Sequence, residues 1–360
     1  MKIIRLSTFL NFGGIETKMV NLSHYNDTEN EWIFAAVGKG GVAEERILNN
    51  NKRTAILNLN YKIPCLKTIW GLYKYLKKER PDVLHTSGAE ANFFGFLAGR
   101  MAKVPKIIVE EIGIPNQSYN AKKIFGFIFK NADYVVGESQ TVVNHIVSNY
   151  KLNVSKTKVI HNFGLFNYKF DSQKSQNDNN YFHIVMISRL EPVKNIEAVI
   201  NVIAHLKDRI SVRIKLTIAG SGTLEENLKN RVSELELSEN VFFMGFISDP
   251  YPILKNSDLY ILNSFSEGFS NSLIEAMYSS TPSLSTDVGA ASEIIDNNVN
   301  GFLIPAANEK VLLDRIETII SMPKERLQEI GMKGHQKITE NFSLNNHIAE
   351  LMQIYKSNKL

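Results

Sequence analysis

The feature that most constrains the fold is an alternation of short apolar runs with longer amphipathic segments, which occurs in both halves of the 360-residue chain. In the first half the apolar runs are KIIRLS, WIFAAVG, AILNL, DVLHTS, KIIVEE, DYVVGES and KVIHN, and in the second half they are HIVMIS, VRIKLTIAG, VFFMG, DLYILN, PSLSTD and GFLIP. Apolar strands separated by helices are typical of parallel sheets that helices cover on both faces. The sequence therefore predicts an α/β protein with two facing, doubly wound, Rossmann-like domains and a cleft between them.

A polar stretch, DSQKSQNDNN, separates the two halves and contains no apolar residue. Such a stretch predicts an interdomain linker, which we assign to residues 169–182. The N-terminal domain then comprises residues 1–168, and the C-terminal domain comprises residues 183–342. Residues 343–360 are expected to form a C-terminal helix that packs back toward the N-terminal domain.

Composition narrows the class of protein further. The chain is 44% hydrophobic and 22% charged, as in ordinary globular proteins. Its single cysteine, Cys65, excludes an internal disulfide, and no Cys/His cluster has the spacing of zinc ligands. The N-terminal MKIIRLSTFL carries charges inside its apolar stretch, and the apolar runs are far shorter than the roughly 20 residues that span a bilayer. We expect a cytoplasmic protein that is soluble or peripheral at the cytoplasmic face of the membrane.

The charges are distributed unevenly between the two halves. Residues 1–165 hold 22 Lys and Arg against 13 Asp and Glu, a net charge of +9, whereas the remainder holds 19 against 24, a net charge of −5. A basic half suits nucleic acid, an anionic membrane or an acceptor that carries a pyrophosphate, and charge alone does not choose among them.

Two N-terminal helical segments, residues 66–80 and 121–130, interleave lysines with aromatic and aliphatic residues. Such a segment is either a core-facing helix with a solvated basic face or an interfacial surface. Together with the basic half, this pattern leads to the hypothesis of peripheral binding to the anionic inner membrane surface. We do not expect nucleic acid as a partner.

In doubly wound sheets, ligands bind at the carboxyl ends of the strands, and the unusual residues of this sequence follow predicted strands. Arg189 and Lys194 follow HIVMIS, a GSG turn follows VRIKLTIA, and the pair 267–268 follows DLYILN. Near the start of the chain, the glycine pair 13–14 follows the first strand. The sequence therefore predicts that four loops converge on one interdomain cleft.

Each of these features also has a purely structural interpretation. Glycine-rich turns are common where positive φ is needed, and Arg189 and Lys194 are compatible with ordinary solvated loop charges. Glu275, eight positions after Glu267, completes a Ser-x-x-Glu capping box with Ser272. That capping box explains the Glu275 carboxylate without any ligand, but it leaves Glu267 unexplained.

The stretch EGFSNSLIEAM resembles the E-x7-E motif of GT-B glycosyltransferases, specifically of the retaining glycosyltransferase family 4, also described as glycosyl transferases group 1. ISRLEPVKN is similar to the Arg and Lys diphosphate clamp of that family, IAGSGTLEENL to its Gly-turn helix and FMGFISD to its nucleobase loop. The segment STPSLSTDVGAASEIIDNNVNGFLIP resembles the strand, glycine loop and strand that follow. The resemblance covers the whole chain and is strongest from residue 183 to residue 305.

The resemblance implies transfer of a sugar from a nucleotide diphosphate-sugar, with UDP-sugars favoured, to a glycan or an undecaprenyl-diphosphate-linked saccharide. A bacterial surface polysaccharide such as capsule or lipopolysaccharide is the expected product. Retention of configuration implies front-side attack through an oxocarbenium-like transition state. Because the leaving diphosphate gains negative charge, Arg189, Lys194 and a helix N-terminus can replace a metal ion. We therefore expect neither a cofactor nor a metal.

The resemblance also implies roles for individual residues. Glu267, Arg189 and Lys194 are the expected catalytic residues, and Glu267 contacts the donor sugar. Glu275 accepts hydrogen bonds from the ribose hydroxyls. The other expected donor-binding residues lie in glycine-bearing loops and in the EGFSN segment: Gly13, Gly14, Gly245, Phe246, Gly268, Phe269, Ser270 and Asn271.

Three residues of the N-terminal half are candidates for contact with the acceptor. Glu16 follows the first glycine loop, and His85 is predicted to face the cleft, although a lone histidine is more often structural. Many family members have a histidine after the fifth strand, where this sequence reads IIVEEIG and Glu111 stands nearest. His161, next to Asn162, resembles an interdomain segment of the family and is a candidate hinge contact.

Other classes of protein remain open at this stage. A nucleotide-sugar epimerase or hydrolase of the same fold would share the diphosphate clamp but would turn over the donor without an acceptor. A catalytically silent GT-B binding protein would have lost the site, whereas Arg189, Lys194, Glu267 and Glu275 are all present. A dinucleotide dehydrogenase is disfavoured, because FGGIET is not G-x-G-x-x-G.

Overall fold

The computed structural model describes residues 1–114, 117–166 and 181–358 of the protein. The chain divides into two compact units, of which the first comprises Met1–Leu165 and Leu344–Leu360 and the second comprises Phe166–Ser343. Most of the predicted linker lies outside the described residues. Its last two residues, however, already form the start of a strand, so the linker ends earlier than predicted.

Both units are built on parallel sheets. The strands of the first sheet are β1 (Lys2–Ser7), β2 (Glu31–Ala36), β3 (Arg53–Ile56), β4 (Val83–Ser87), β5 (Lys106–Glu111), β6 (Tyr134–Gly137) and β7 (Thr157–Val159). The strands of the second sheet are β8 (Tyr181–Ile187), β9 (Arg213–Ala219), β10 (Val241–Gly245), β11 (Leu259–Leu262), β12 (Ser283–Thr286) and β13 (Phe302–Ile304).

The strand orders are β3-β2-β1-β4-β5-β6-β7 and β10-β9-β8-β11-β12-β13. In each sheet the order of winding reverses once, between β1 and β4 in the first sheet and between β8 and β11 in the second. Such a switch point leaves a crevice at the carboxyl ends of the two strands, where doubly wound proteins bind ligands. The fold therefore defines one candidate crevice in each unit.

Helices connect the strands and cover both sheets. They are α1 (Gly14–Ser23), α2 (Val42–Asn49), α3 (Leu66–Glu79), α4 (Ala89–Ala102), α5 (Tyr119–Asn131), α6 (Gln140–Tyr150), α7 (Ile196–Leu206), α8 (Glu225–Glu234), α9 (Tyr251–Lys255), α10 (Asn271–Tyr278), α11 (Ala291–Ile294), α12 (Glu309–Ile320), α13 (Lys324–Asn341) and α14 (Leu344–Lys356). Among the described residues, none of these helices is long and apolar enough to cross a bilayer.

Alternating side chains of the central strands fill a core on each face of their sheet, because successive residues of a strand point to opposite faces. In β1, Ile4 packs with Phe94 on one face, whereas Ile3 packs with Phe34 on the other. In the second unit the same alternation places Ile184 and Val185 of β8 in different clusters. Burial of both faces explains why the strands read as continuous apolar runs. The predicted fold class, with two doubly wound parallel sheets, is confirmed.

The C-terminal helix α14 belongs to the first unit. Its Ile348 and Leu351 contribute to the core on the face of the sheet that also holds Ile3. The buried ammonium of Lys106, at the start of β5, donates to the carbonyls of Ile354 at 2.8 Å and Tyr355 at 3.0 Å. These bonds satisfy carbonyls at the end of the helix that lack a partner within it.

Candidate active site

The second unit places most of the predicted site at its switch point. The loop after β8 carries Arg189 and ends in a 3-10 turn, Pro192–Lys194, and the loop after the neighbouring β11 carries Glu267. The backbone N–H of Phe265 donates to the carbonyl of Val193 at 2.8 Å, so the two loops are joined by a hydrogen bond.

Lys194 and Glu267 form an ion pair across these two loops. The Lys194 ammonium donates to Oε1 of Glu267, and the Ser264 hydroxyl donates to the same oxygen at 2.6 Å. Both charged side chains are mostly buried, at 14% and 13% exposure. The other oxygen, Oε2, accepts no hydrogen bond from the described residues. Glu267 is therefore fixed through one oxygen and has the second available for a ligand.

Arg189 differs from Lys194 because its side chain is exposed and forms no hydrogen bond or ion pair within the described part of the chain. The GSG turn after β9 supports its loop. Gly220 has a φ of +138°, and a Cβ there would lie 1.8 Å from the carbonyl oxygen of Ser188. A Cβ at Gly222 would lie 2.5 Å from the carbonyl oxygen of Leu190. The backbone therefore requires glycine in this turn, as the structural interpretation holds. The turn packs against Ser188 and Leu190, on either side of Arg189.

The capping-box interpretation of Glu275 is wrong. The N-cap of α10 is Ser270, whose Oγ accepts from the N–H of Leu273 at 3.3 Å. The Ser272 hydroxyl instead accepts from the Tyr260 hydroxyl at 2.7 Å. The extended backbone at Ser270 starts the helix two residues before the position that a capping box with Glu275 requires.

Glu275 consequently has a carboxylate with no assigned partner. Its side chain accepts no hydrogen bond from the residues that the structure describes. Burial, followed by repulsion from Asp249, raises the pKa of Glu275 to about 7. A carboxylate that is poorly hydrated and unpaired destabilises the folded protein, so its presence at the switch point indicates a ligand-binding role.

The loop after β12 also packs against the backbone of Glu267 and Gly268. Gly289 has a φ of +60°, and a Cβ there would lie 2.5 Å from the carbonyl oxygen of Glu267. The N–H of Ala290 donates to the carbonyl of Gly268 at 3.0 Å. The N–H groups of Gly268 and Ser270, just before α10, donate to no described residue. They are therefore available to an anion at this helix N-terminus.

Two predicted donor-binding phenylalanines occupy different environments. Phe246 follows β10 and is 77% exposed, next to Gly245, which has a φ of +66°. Phe269 is buried in the core and packs against Phe342 with a ring separation of 5.8 Å. The Phe269 side chain is thus a core residue, and only its backbone can contact a donor.

In the first unit, the loop after β1 holds the glycine pair that precedes α1. Gly13 has a φ of +146°, and a Cβ there would lie 2.3 Å from Oε2 of Glu16. Burial raises the pKa of Glu16. Gly14 has no atom within 4 Å of the position of a Cβ. Contact of this loop with the donor or the acceptor stays a prediction from the sequence.

The prediction that His85 faces a cleft is wrong, since its side chain is 0% exposed. Arg5 donates to Nδ1 of His85 at 2.6 Å, and Nδ1 also lies 2.7 Å from the Tyr355 hydroxyl of α14. Burial, reinforced by the Arg5 charge, lowers the pKa of His85 to about 3. His85 is therefore a neutral structural residue, because β4 is a central strand covered on both faces.

A buried charge cluster beside His85 was not predicted. The Glu110 carboxylate accepts from Arg5 at 2.9 Å, from Lys18 at 2.5 Å and from the Ser87 hydroxyl at 2.6 Å. Burial alone would raise the pKa of Glu110, but Lys18 and Arg5 outweigh it and hold this pKa well below its usual range. In the sequence the cluster shows only as charged residues inside predicted strands, an arginine in KIIRLS and a glutamate pair in KIIVEE.

Glu111, the next residue of β5, is also buried. Its Oε1 accepts from Asn92 at 2.9 Å. Burial, with repulsion from Glu110 and Glu90, raises the pKa of Glu111 to about 7. Its role as an acceptor contact remains a prediction. His161, the predicted hinge contact, accepts a hydrogen bond at its carbonyl from Nδ1 of His347 at 2.7 Å, within the first unit.

No three His, Cys, Asp or Glu side chains in the described ranges are grouped as a metal site requires. The charges at the second switch point are instead those of Arg189, Lys194, Glu267 and Glu275. The two cations and the free helix N-terminal N–H groups suit a dianionic group, and the two carboxylates suit hydroxyl groups beside it.

Comparison with family models matches each half of the chain to a family of glycosyltransferases. Residues 12–163 match the family described as Glycosyltransferase Family 4, and residues 167–337 match the family described as Glycosyl transferases group 1. The two matches cover nearly all of the second unit and the first unit apart from its first residues and the C-terminal helix α14.

Individual relatives agree with this assignment. The chain is 27% identical, over 89% of each protein, to an alpha-1,4-N-acetyl-D-galactosaminyltransferase of Campylobacter jejuni whose name specifies a PP-undecaprenol-linked saccharide. It is 25% identical to the UDP-Gal:alpha-D-GlcNAc-diphosphoundecaprenol alpha-1,3-galactosyltransferase of Escherichia coli, over 81% of this chain and 79% of that protein. The fold matches that of Anabaena Alr3699/HepE in complex with UDP, with a TM-score of 0.84 and 19% identity over 98% of this chain and 100% of that one.

Proposed function

Because the chain belongs to the glycosyl transferases group 1, has a family 4 N-terminal half and is a GT-B-fold glycosyltransferase, we propose that it transfers a sugar from a UDP-sugar to an undecaprenyl-diphosphate-linked saccharide. The expected product is an intermediate of a bacterial surface polysaccharide. The names of the Campylobacter and Escherichia relatives support the lipid-linked acceptor, and the UDP complex of the Anabaena protein supports the donor.

The observation that carries the proposal is the unpaired positive charge at the second switch point. Arg189 is exposed without an ion-pair partner in the described ranges, and the N–H groups of Gly268 and Ser270 are free at the start of α10. As the glycosidic bond breaks, the diphosphate oxygen takes up negative charge, which preorganised donors and cations stabilise more in the transition state than in the ground state. This arrangement supports a reaction that needs neither a metal nor another cofactor.

The two carboxylates have separate roles in this proposal. Glu275, which lacks a protein partner, accepts hydrogen bonds from the ribose hydroxyls of the donor. Glu267 is held through Oε1 by Lys194 and Ser264 and directs Oε2 toward the sugar. The first carboxylate thus anchors the nucleotide, and the second positions the sugar that reacts.

The reaction proceeds with retention of configuration. The bond between the anomeric carbon and the phosphate oxygen breaks as the acceptor oxygen approaches from the same face, and the departing phosphate oxygen takes the acceptor proton. Arg189 and Lys194 stabilise the charge on the leaving diphosphate. A lipid-linked acceptor places the enzyme at the cytoplasmic face of the membrane, so an anionic membrane surface is a further proposed partner.

Isothermal titration of the purified protein with UDP, GDP and ADP, with and without EDTA, tests the donor site. We expect selective binding of UDP that EDTA does not weaken. We further expect Arg189→Ala and Glu275→Ala to weaken that binding at least about tenfold without unfolding the protein. Failure of every nucleotide to bind, or unchanged binding in both variants, would contradict the proposed donor site.

A further inference from the structure

An apolar groove lies on the outer surface of the first unit, among helices α3, α4 and α5. It encloses about 650 Å³ and is lined mainly by apolar side chains. Four of them are large and strongly exposed, namely Leu66 at 81%, Trp70 at 52%, Met101 at 48% and Phe127 at 58%. Contiguous exposed apolar surface of this kind usually marks a site of interaction with another molecule.

The charges around this groove favour one kind of partner. Helices α3 and α5 together carry seven lysines and a single acidic residue, Glu79. Glu79 is buried and is paired with Lys2 and Arg53, so it does not offset the lysines at the surface. The apolar surface is thus flanked by uncompensated positive charge.

Individual lysines lie beside the exposed rings. The Lys74 ammonium is 5.6 Å from the centre of the Trp70 ring. On α5, Lys123 and Lys130 precede and follow Phe127 by four and three residues, which places them on the same side of the helix. Neither lysine forms an ion pair within the described residues. Aromatic side chains at the polar–apolar boundary, with cations beside them, are typical of surfaces that lie on a bilayer.

From these observations we propose that the groove formed by α3, α4 and α5 is the docking surface for an anionic phospholipid bilayer. The exposed apolar side chains enter the boundary between headgroups and acyl chains, and the lysines bind the lipid phosphates. A protein partner fits less well, because it would have to supply acidic groups to all of these lysines. The inference rests on the proposed function in one respect: a lipid-linked acceptor gives the enzyme a reason to lie on the bilayer.

Co-sedimentation with vesicles tests this proposal, using vesicles of phosphatidylcholine alone and of phosphatidylcholine mixed with phosphatidylglycerol. We expect binding only to the anionic vesicles, with loss of binding at high salt. Trp70→Ser and Phe127→Ser should each weaken it about tenfold, from the lost apolar burial. Lys123→Gln should weaken it about fivefold.

Leu48→Ser is the matched apolar control. Leu48 is 50% exposed on α2, which packs on the opposite face of the first sheet, so its replacement should leave vesicle binding unchanged. UDP titration of each variant separates the two proposals, because the groove residues lie outside the donor site. A protein that binds UDP but ignores anionic vesicles would overturn the docking surface and leave the proposed function intact.

Two further outcomes would also overturn the docking surface. One is equal loss of vesicle binding in Leu48→Ser and Trp70→Ser, which would mean that attachment is not localised at the groove. The other is a change of oligomeric state on Trp70→Ser with vesicle binding unchanged, which would identify the groove as an interface between copies of the chain.

Discussion

Replacing Glu275 with glutamine should stabilise the free protein while weakening the binding of its donor. The pKa of Glu275 is raised from its ordinary value of 4.5 to about 7, chiefly by burial. The folded protein therefore holds a proton between these pH values that the unfolded chain has lost. Ionisation of Glu275 consequently reduces stability as the pH rises through this window, and the loss is complete above about pH 7.

The magnitude follows from the shift. A rise from 4.5 to about 7 corresponds to an upper limit of roughly 3 kcal/mol, and partial contact with solvent reduces it to about 1 to 2 kcal/mol. For a unit of this size, that gain corresponds to an unfolding temperature higher by roughly 2 to 8 °C. Glutamine cannot replace a carboxylate toward two ribose hydroxyls, so UDP binding should weaken about tenfold.

Thermal unfolding of Glu275→Gln across a pH series, beside UDP titration, measures both effects. The stabilisation should be largest above about pH 7 and should shrink as the pH falls toward 4.5. Glu239→Gln, at an exposed carboxylate of the same unit, is the control and should change neither quantity. Destabilisation of Glu275→Gln above pH 7, or a stability change equal to that of Glu239→Gln, would refute the assignment of Glu275 as an unpaired ligand-binding carboxylate.

Three further predictions concern the loops and the buried charges. Arg189→Ala should weaken UDP binding about tenfold to a hundredfold in titration, with little change in unfolding temperature, because the guanidinium is proposed to bind the diphosphate and forms no ion pair with a described residue. Gly220→Ala should lower the stability of the second unit by about 1 to 3 kcal/mol or more in denaturant unfolding, because the Cβ of the new alanine would collide with the Ser188 carbonyl. Glu110→Gln should destabilise the first unit by about 3 to 5 kcal/mol in the same assay, because Arg5 loses a buried counter-charge.

Much of the fold follows from the sequence alone, since the strand pattern is set by local periodicity. The apolar runs that read as strands all occur as strands, with ends shifted by a few residues. The start of α10 could not be predicted as reliably. Both Ser270 and Ser272 are suitable N-caps by residue type, and the choice depends on the Tyr260 hydroxyl, which binds Ser272 and belongs to a strand 12 residues earlier.

The site shows the same division between local and non-local information. Glu267 and Lys194 are recognisable from their motifs, but the ion pair between them depends on two strands that are distant in sequence and adjacent in the sheet. His85 was misassigned because alternation along a strand does not reveal that both faces of a central strand are covered. The pairing of Arg5 with Glu110 joins residues 105 positions apart, so no local pattern predicts it.

Transfer of a labelled sugar from a UDP-sugar to an undecaprenyl-diphosphate-linked saccharide tests the central claim most directly. Parallel reactions would lack the acceptor, contain EDTA or use Glu267→Gln. We predict an acceptor-linked product with retained configuration, undiminished by EDTA, little donor turnover without acceptor, and a large loss of rate in Glu267→Gln at unchanged UDP affinity. Equal donor turnover with and without acceptor would instead identify a hydrolase or epimerase and contradict the claim that this chain transfers sugar to a lipid-linked acceptor.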